Sequence, residues 1–260
     1  MNQRLPPRDL FQIEPDQPTP LYYQIRENLR ELIRGGDLPV GDIIPSEREL
    51  SEYYGVNRLT VRQAITELVN EGLLSRRRGV GTFVSEQKIV HPMPDLAGFS
   101  QRMIRAGRKP GGKVMAFGRQ PPTRSVAQAL NLPLESTVIH IVRVRTVDNE
   151  PIMLETLYLP HHLMPDLAAE DLEDASLYHL MATRYRIQVV EAEEVLEPVT
   201  LTSYEANALG TEAGRPALLV EGTVYTTNHQ PVEFTKSLVR GDKARFFFKL
   251  RRTGSADPME

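Results

Sequence analysis

The feature of this sequence that most constrains its fold is a pair of short, capped helical segments joined by a glycine turn. Ser46 has Glu49 three residues later, and this spacing forms a capping box at a helix N-terminus. Gly55 ends that helix, and Asn57 is well suited to cap the next one. The core stripe of the second helix is predicted at Val61, Ala64, Ile65 and Leu68.

The segments on either side of this pair also carry regular patterns. Apolar residues at positions 21, 25, 29, 32 and 33 predict an earlier helix that ends at Gly35-Gly36. After Gly72, residues 73–78 and 82–84 are predicted to form a hairpin with Gly79-Val80-Gly81 at its tip. Helix, capped helix, turn, helix and basic hairpin thus follow one another within about 65 residues. This order predicts an N-terminal winged helix-turn-helix, a DNA-binding fold.

The charge of this region is clustered rather than large. Residues 1–88 hold 12 Lys and Arg against 13 Asp and Glu, a net charge of −1. Attraction to phosphate depends on where cations cluster on a surface. Arg58 and Arg62 share one helix face, and three consecutive arginines precede the glycines of the hairpin. We therefore expect this helix and hairpin to contact DNA.

The candidate DNA-contacting residues lie at the start of the two short helices and at the hairpin tip. A cation at Arg48, in the first turn of its helix, opposes the helix dipole and favours an external phosphate partner. The alternative is that these arginines are solvated or paired with Glu47, Glu52 and Glu67. The predicted set is Arg48, Asn57, Arg58, Thr60, Arg62, Arg78, Gly79 and Gly81.

The remainder of the chain is rich in predicted strands. Residues 137–147 and 152–159 form one hairpin around a turn at 148–151, and 217–227 and 232–239 form another. Shorter helices are predicted at 96–106, 124–130, 176–185 and 202–209, and residues 85–95, with two prolines, form a linker. The second domain is therefore predicted to be α+β with a mainly antiparallel sheet.

Two arginines lie on an otherwise apolar face of the strand at 137–147. Arg143 and Arg145 follow Ile139 and Ile141 on that face, while the other face is also largely apolar. A strand with two apolar faces is normally covered on both sides, so both arginines need a counter-charge. Either Glu155 or Glu221 on neighbouring strands supplies it, or a bound phosphate or carboxylate does.

Composition excludes several other classes of protein. The chain has 260 residues, 40% of them hydrophobic and 25% charged, which is typical of a soluble protein of two domains. No apolar run approaches a membrane span of about 20 residues, and the N-terminus has no apolar signal-peptide core. There is no cysteine, and the histidines have no second ligand at a useful spacing. We expect a cytoplasmic protein without a metal, a cofactor or a membrane partner.

Residues 20–84, including PSERELSEYYGVNRLTVRQAITELVNEGLLSRRRGVGTFV, resemble the winged helix-turn-helix of the GntR family of bacterial regulators. FSQRM at 99–103, IVRVRTVDNEPIMLETLYLP at 140–160, SLYHL at 176–180 and PVEFTKSLVRGDKARF at 231–246 resemble the UTRA effector domain of the HutC branch, which is similar to the chorismate-lyase fold. The predicted organisation is a DNA-binding domain at 12–84, a linker at 85–95, and an effector-binding and dimerisation domain at 96–251. Asn57 and Leu59 depart from the commonest pattern of the family, so the operator sequence does not transfer.

The resemblance also implies an effector site. Positions matching Ser100, Arg143, Arg145, Ser176 and Tyr178 surround a phosphate, and those matching Glu155 and Glu233 hold the polar body of a ligand. Each position has a structural alternative, because the two serines can cap helices, Tyr178 can be packing, and the glutamates can be ion-pair partners. Val239 replaces a frequent aromatic residue, which leaves the identity of the ligand open.

Together these patterns predict a homodimeric bacterial repressor that binds double-stranded operator DNA and a small anionic effector, a sugar phosphate or a carboxylate. Two alternatives belong to other classes of protein. One is a lyase-like enzyme fused to a DNA-binding domain, and the other is an architectural DNA-binding protein without a ligand. Fold alone does not decide between them.

Overall fold

The computed structural model describes residues 7–85, 88–93 and 97–248. In this part of the chain, packing divides the structure into two compact units. The first contains the described residues up to Lys88 together with Pro198–Leu218 and Arg240–Lys243, and the second contains the remainder. None of the helices described is long and apolar enough to cross a membrane.

Three helices and a two-stranded sheet form the N-terminal part of the first unit: α1 (Leu21–Gly35), α2 (Glu47–Tyr54), α3 (Arg58–Asn70), β1 (Leu74–Arg77) and β2 (Gly81–Val84). Strands β1 and β2 pair in antiparallel register. The apolar stripes of α1 and α3 meet in one buried core, which includes Ile25, Leu29, Val61 and Ile65. The order of elements confirms the predicted winged helix-turn-helix.

The two helix caps have the geometry that the sequence predicts. The Ser46 hydroxyl accepts a hydrogen bond from the Glu49 N–H at 3.2 Å, and a Glu49 carboxylate oxygen accepts one from the Ser46 N–H at 2.8 Å. At the start of α3 the Asn57 side-chain oxygen accepts bonds from two backbone N–H groups, those of Leu59 at 2.6 Å and Thr60 at 3.3 Å. These bonds satisfy donors that have no partner within the helix, and so fix where α2 and α3 begin.

The other strands that the structure describes are β3 (Ile89–Met93), β4 (Pro110–Gln120), β5 (Val138–Val147), β6 (Glu150–Pro160), β7 (Val189–Thr200), β8 (Pro216–Thr226), β9 (Pro231–Arg240) and β10 (Ala244–Phe248). The other helices described are α4 (Phe99–Arg105), α5 (Arg124–Ala129), α6 (Leu177–Thr183) and α7 (Ser203–Ala208), with 3-10 turns at Arg8–Leu10, His161–Leu163 and Glu170–Leu172. Six strands form one sheet in the order β4-β5-β6-β9-β8-β7, and β3 pairs with β10 in parallel. The predicted α+β fold with a mainly antiparallel sheet is confirmed.

Strand β5 is covered on both faces, as its apolar pattern predicts. On one face Ile139 and Ile141 pack in a buried cluster with residues of α6, including Leu177 and Met181. On the other face Val138 packs with residues of α5. The arginines that follow Ile141 on the first face therefore lie in a strand that has little access to water.

Two features of the structure lie at the boundary between the predicted domains. Strand β3 lies inside residues 85–95, so the part of the predicted linker that the structure describes contains a strand; positions 86–87 and 94–95 fall outside the described residues. Pro198–Leu218, predicted in the second domain, belongs to the first unit. Arg215 accounts for part of this packing, because its Nη1 donates to the Asn70 side-chain oxygen at 2.9 Å.

Candidate functional sites

The first candidate site is a basic cleft in the first unit, between the start of α2, the start of α3 and the hairpin β1–β2, which we call the wing. Arg48, Arg58 and Arg78 line this cleft together with Gly79 and Gly81. All three arginines are exposed. The cleft therefore presents unburied guanidinium groups to any polyanion that enters it.

The remaining predicted residues of this site lie on α3 and at its N-cap. Arg62 is exposed, Thr60 is partly buried in the first turn, and Leu59 is 67% exposed. The oxygen of Asn57 is already engaged in capping, so its amide N–H2 group is what remains to contact a partner. An exposed leucine beside these polar groups suits contact with a thymine methyl group.

Glycine is favoured at positions 79 and 81 of the wing for two different structural reasons. Gly79 has φ of 73°, a left-handed conformation that favours glycine in the tight turn. A Cβ atom on Gly81 would lie 2.4 Å from Ile43 Cδ1, so a larger residue there would require the Ile43 side chain to move, and φ of 151° also favours glycine. Arg77 stacks on the Phe83 ring at 4.4 Å, which holds the basic strand in place.

Some of these arginines have internal partners, as the alternative interpretation of the sequence proposed. A Glu47 oxygen lies 2.9 Å from Arg62 Nη2, and a Glu52 oxygen lies 3.5 Å from Arg48 Nη1. Glu67, the third candidate, is instead 2.8 Å from Arg26. Pairing with Glu47 also raises the pKa of Arg62, first through the hydrogen bond and then through charge attraction.

The second candidate site is a pocket in the second unit, with a cavity of about 100 Å³. A buried water needs about 10–15 Å³ on this scale, so the cavity has room for a molecule of several heavy atoms. It lies where β5, β6 and β9 meet the start of α4 and α6. All seven residues predicted from the sequence line it: Ser100, Arg143, Arg145, Glu155, Ser176, Tyr178 and Glu233.

The two arginines of the pocket have different partners. Arg143 donates a short hydrogen bond from Nε to Glu155, and both side chains are buried. Arg145 is 1% exposed and donates to neutral oxygens only, the Ala175 carbonyl at 3.0 Å and the Ser100 hydroxyl at 2.7 Å. Glu221, the other predicted counter-charge, pairs instead with Lys236 at 2.5 Å. One arginine thus has an internal counter-ion and the other has none among the described residues.

Because Arg145 is buried, the lack of a carboxylate partner is energetically unfavourable. Burial lowers the pKa of Arg145 to about 10, and repulsion from Arg143 adds to the effect. Arg143 Nη1 and Arg145 Nε are buried without a hydrogen-bond acceptor within the described structure. Arg145 also lies over the Phe99 ring at 4.8 Å. The arginine end of the pocket therefore has free donors and a positive charge that Glu155 and Asp174 offset only in part, the combination that binds an oxyanion.

Acidic side chains lie at the β9 end of the pocket. Burial raises the pKa of Glu233 to about 8, and the Glu155 charge raises it further while Arg143 opposes the shift. Burial also raises the pKa of Glu194 and of Tyr178. Glu233 Oε2 has no hydrogen-bond donor among the described residues. This end accordingly offers carboxyl oxygens that accept hydrogen bonds from the hydroxyl or amino groups of a ligand, and the protonated Glu233 carboxyl also donates one.

Ser176 and Ser100 have different structural roles. Ser176 caps α6, since its hydroxyl oxygen accepts from the His179 N–H at 3.3 Å. Its proton remains available to a ligand. Ser100 is not a cap, because Gly98 occupies that position, and its hydroxyl instead accepts the Arg145 hydrogen bond.

Several pocket residues were missed by the sequence analysis: Phe99, Arg102, Glu194, Thr235 and Ser237. Thr235 and Ser237 alternate with Glu233 along β9, so the period-two pattern of that strand contained the signal. Glu194 had no such signal, because β7 was not predicted as a strand.

The buried Glu233 carboxyl predicts a pH dependence of stability. Its pKa rises from 4.5 to about 8 on folding, so between these values the folded protein holds a proton that the unfolded chain releases. The stabilisation from this group is therefore full below about 4.5 and is lost as the pH rises through about 8. We expect the Glu233→Gln variant, which does not ionise, to gain thermal stability relative to the unmodified protein between about pH 5 and pH 8.5. Melting temperatures measured across that range would contradict this if the two curves run parallel.

A winged helix-turn-helix unit together with a second unit that encloses a charged pocket defines a DNA-binding transcriptional regulator. Residues 21–84 match the model of the bacterial regulatory proteins of the gntR family, and residues 105–245 match the UTRA domain. The chain is 36% identical over 240 residues to the HTH-type transcriptional repressor NagR of Bacillus subtilis, covering 92% of this chain and 98% of the relative. The chain belongs to the gntR family of regulators and carries a UTRA domain.

Two further comparisons agree with this assignment. The chain is 30% identical to the probable fructoselysine utilization operon transcriptional repressor of Escherichia coli, over 86% of this chain and 91% of that protein. The crystal structure of PhnF from Mycobacterium smegmatis superposes with a TM-score of 0.62 at 29% identity, covering 88% of this chain and 99% of that one. The two relatives named as repressors are regulators, so the alternative of a lyase-like enzyme is not supported.

Proposed function

We propose that this protein is a transcriptional repressor whose affinity for its operator changes when a sugar phosphate enters the pocket of the second unit. The observation that carries the proposal is Arg145, a buried guanidinium whose hydrogen-bond partners are neutral. A phosphate beside Arg143 and Arg145 supplies the missing charge, and Ser100, Ser176 and Tyr178 donate hydrogen bonds to it. Glu155 and Glu233 then accept hydrogen bonds from the sugar hydroxyl groups. The repressors among the relatives support the direction of regulation.

A carboxylate such as an organic or fatty acid is the second candidate for the anion. It would also satisfy the arginine pair, but a fatty acid would leave the carboxyls of the β9 end without donors. A thermal-shift screen of sugar phosphates and organic acids tests the choice. We expect sugar phosphates to raise the melting temperature, because a ligand that binds only the folded state stabilises it. A rise with organic acids alone would contradict the sugar phosphate.

We also propose that the basic cleft contacts operator DNA through the residues named above. They are Arg48, Asn57, Arg58, Thr60, Arg62, Arg78, Gly79 and Gly81. The start of α3 meets base edges in this arrangement, and the wing contacts phosphates. The effector acts by its different affinity for the DNA-binding and the released states, and a coupling of about 1–3 kcal/mol is typical of such regulators.

Alanine at Arg58 or Arg62 is expected to weaken operator binding by about 1–3 kcal/mol for each residue, because an arginine bound to a guanine edge contributes that much discrimination. Fluorescence anisotropy with a duplex selected by the unmodified protein from a random library measures this. Glu31→Gln, an exposed substitution on α1, serves as a control that should leave affinity unchanged. Unchanged affinity in both arginine variants would show that α3 does not contact bases.

We further propose a homodimer that is held together by the second unit. Two DNA-binding units joined in one molecule add their phosphate and base contacts on a symmetric operator. Light scattering on the full chain is expected to give twice the monomer mass of 29.4 kDa. A monomer at micromolar concentration would argue against the proposal.

A further inference from the structure

Glu47 lies between Arg62 of the proposed DNA surface and Arg76 of the wing, which also lines the basic cleft. It is in the first turn of α2, and its side chain is 23% exposed. Glu47 Oε2 accepts a hydrogen bond from Arg62 Nε at 2.9 Å, and Glu47 Oε1 lies 3.7 Å from Arg76 Nη2. One carboxylate thus faces the recognition helix α3 and the wing at the same time.

Two further hydrogen bonds connect Arg76 to Arg62 through Thr66 and so complete a ring. Arg76 Nη2 donates to the Thr66 hydroxyl at 3.0 Å, and that hydroxyl donates to the Arg62 carbonyl at 2.7 Å. The ring of Arg62, Glu47, Arg76 and Thr66 therefore connects α2, α3 and β1 through side chains. These are the three elements that form the basic cleft.

The carboxylate occupies the same donors that a DNA phosphate needs. Arginine binds carboxylate and phosphate with the same fork of N–H groups, so Glu47 and a phosphate compete for Arg62. The Glu47 carboxylate also offsets part of the positive charge of Arg62 and Arg76. Non-specific DNA binding depends almost entirely on such charge. An internal anion at this position selectively weakens the component of binding that does not depend on sequence.

We infer that Glu47 is a specificity-determining residue, which orients Arg62 and Arg76 and lowers the affinity of the protein for DNA that is not its operator. At the operator, contacts with base edges and with the rest of the interface compensate for the phosphate binding that Glu47 weakens. On unrelated DNA only phosphates are available, and Glu47 outcompetes them. The inference rests on the proposed DNA surface.

The test is a comparison of Glu47→Gln with the unmodified full-length protein on two duplexes. One duplex is selected from a random library by the unmodified protein, and the other is a scrambled duplex of equal length. Binding is measured by anisotropy over about 50–200 mM NaCl. Glutamine keeps the shape of Glu47 and removes its charge, and Glu31→Gln on α1 provides the same change of net charge away from the ring.

We expect Glu47→Gln to bind the scrambled duplex about 3–10-fold more tightly, with a salt slope steeper by about 1–2, since each additional phosphate contact adds about 0.9. With the affinity for the selected duplex little changed, the ratio of the two affinities should fall by the same factor of about 3–10, while Glu31→Gln should keep it. A ratio equal to that of the unmodified protein would overturn the inference, as would equal weakening on both duplexes with an unchanged slope.

Two further variants separate the possible failures. Glu47→Asp keeps the charge, so we expect it to retain a salt slope near that of the unmodified protein; a slope as steep as that of Glu47→Gln would contradict the charge argument. Arg62→Ala tests the DNA surface itself. If Arg62→Ala weakens operator binding while Glu47→Gln leaves the ratio unchanged, only the role of Glu47 is wrong. If neither Arg62→Ala nor Arg58→Ala has an effect, the surface and the inference fail together.

Discussion

The Arg145→Met variant is expected to lose its response to sugar phosphates while it folds as well as the unmodified protein or better. Arg145 is 1% exposed, and its guanidinium donates to the Ala175 carbonyl and the Ser100 hydroxyl without a carboxylate partner. Removing it leaves no orphaned negative charge. Losing one member of a buried charge pair costs about 2–5 kcal/mol of affinity, which is about 30-fold to several thousand-fold. A gain of stability without ligand follows because an uncompensated buried charge is unfavourable.

Thermal shift with the sugar phosphates that stabilise the unmodified protein measures this loss, and operator binding is measured in parallel. Arg119→Met is a matched control, because Arg119 on β4 also donates to backbone carbonyls, those of Pro165 and Leu167, and does not line the pocket. We expect this control to respond to the ligand normally. If Arg145→Met keeps the full thermal shift, the anion binds elsewhere.

The Arg143→Met variant is expected to behave in the opposite way and to lose about 3–5 kcal/mol of stability, the typical cost of breaking a buried ion pair. Arg143 neutralises Glu155, and both side chains are nearly inaccessible to water. Without Arg143 the Glu155 carboxylate lies beside Glu233 and loses its hydrogen-bonded partner, and only the longer-range attraction of Arg145 remains. The double variant Arg143→Met, Glu155→Met should recover most of the loss, since an apolar pair of similar volume replaces the ion pair.

Urea unfolding of the two single variants and the double variant gives the coupling between Arg143 and Glu155 directly. Protomer concentration must be equal in all samples, because the stability of the proposed dimer depends on it. A loss below about 1 kcal/mol in Arg143→Met would mean that water or relaxation compensates Glu155. Opposite stability changes at Arg143 and Arg145 would establish that one arginine is structural and the other is free for a ligand.

Local features of the first unit could be predicted from sequence because each depends on residues close in the chain. The Ser46 capping box, the Asn57 cap and the apolar stripe of α3 involve spacings of two to four residues. All three features are present in the structure as predicted. The partners of the arginines in the cleft could be proposed but not assigned, since Glu47 and Arg76 come from different elements that meet only after folding.

The sequence analysis missed four strands of the second unit, β3, β4, β7 and β10. Strands β4 and β7 are the two edges of the six-stranded sheet. Strand β7 contains four glutamates and lies at the edge of the sheet, where most of its side chains are exposed and the apolar alternation is weak. Strands β3 and β10 are short, and each is paired with a segment about 150 residues away. Such strands are stabilised by the tertiary partner rather than by their own pattern.

The sequence by itself determined the winged helix-turn-helix, the α+β class of the second domain, and the types of residue that form the pocket. Only the tertiary structure decided which arginine is neutralised. The turn at Asp148 and Asn149 pairs Val147 with Glu150, and an uninterrupted hairpin from that turn would place Leu154 opposite Arg143. An irregularity between Arg145 and Thr146 shifts the register by one residue and places Glu155 there instead. That single shift places Glu155 beside Arg143, whereas Arg145 faces an apolar residue in either register, Met153 in the observed one and Ile152 in the uninterrupted one. Neither strand alone decides this outcome, because strand register is fixed by packing across the whole sheet.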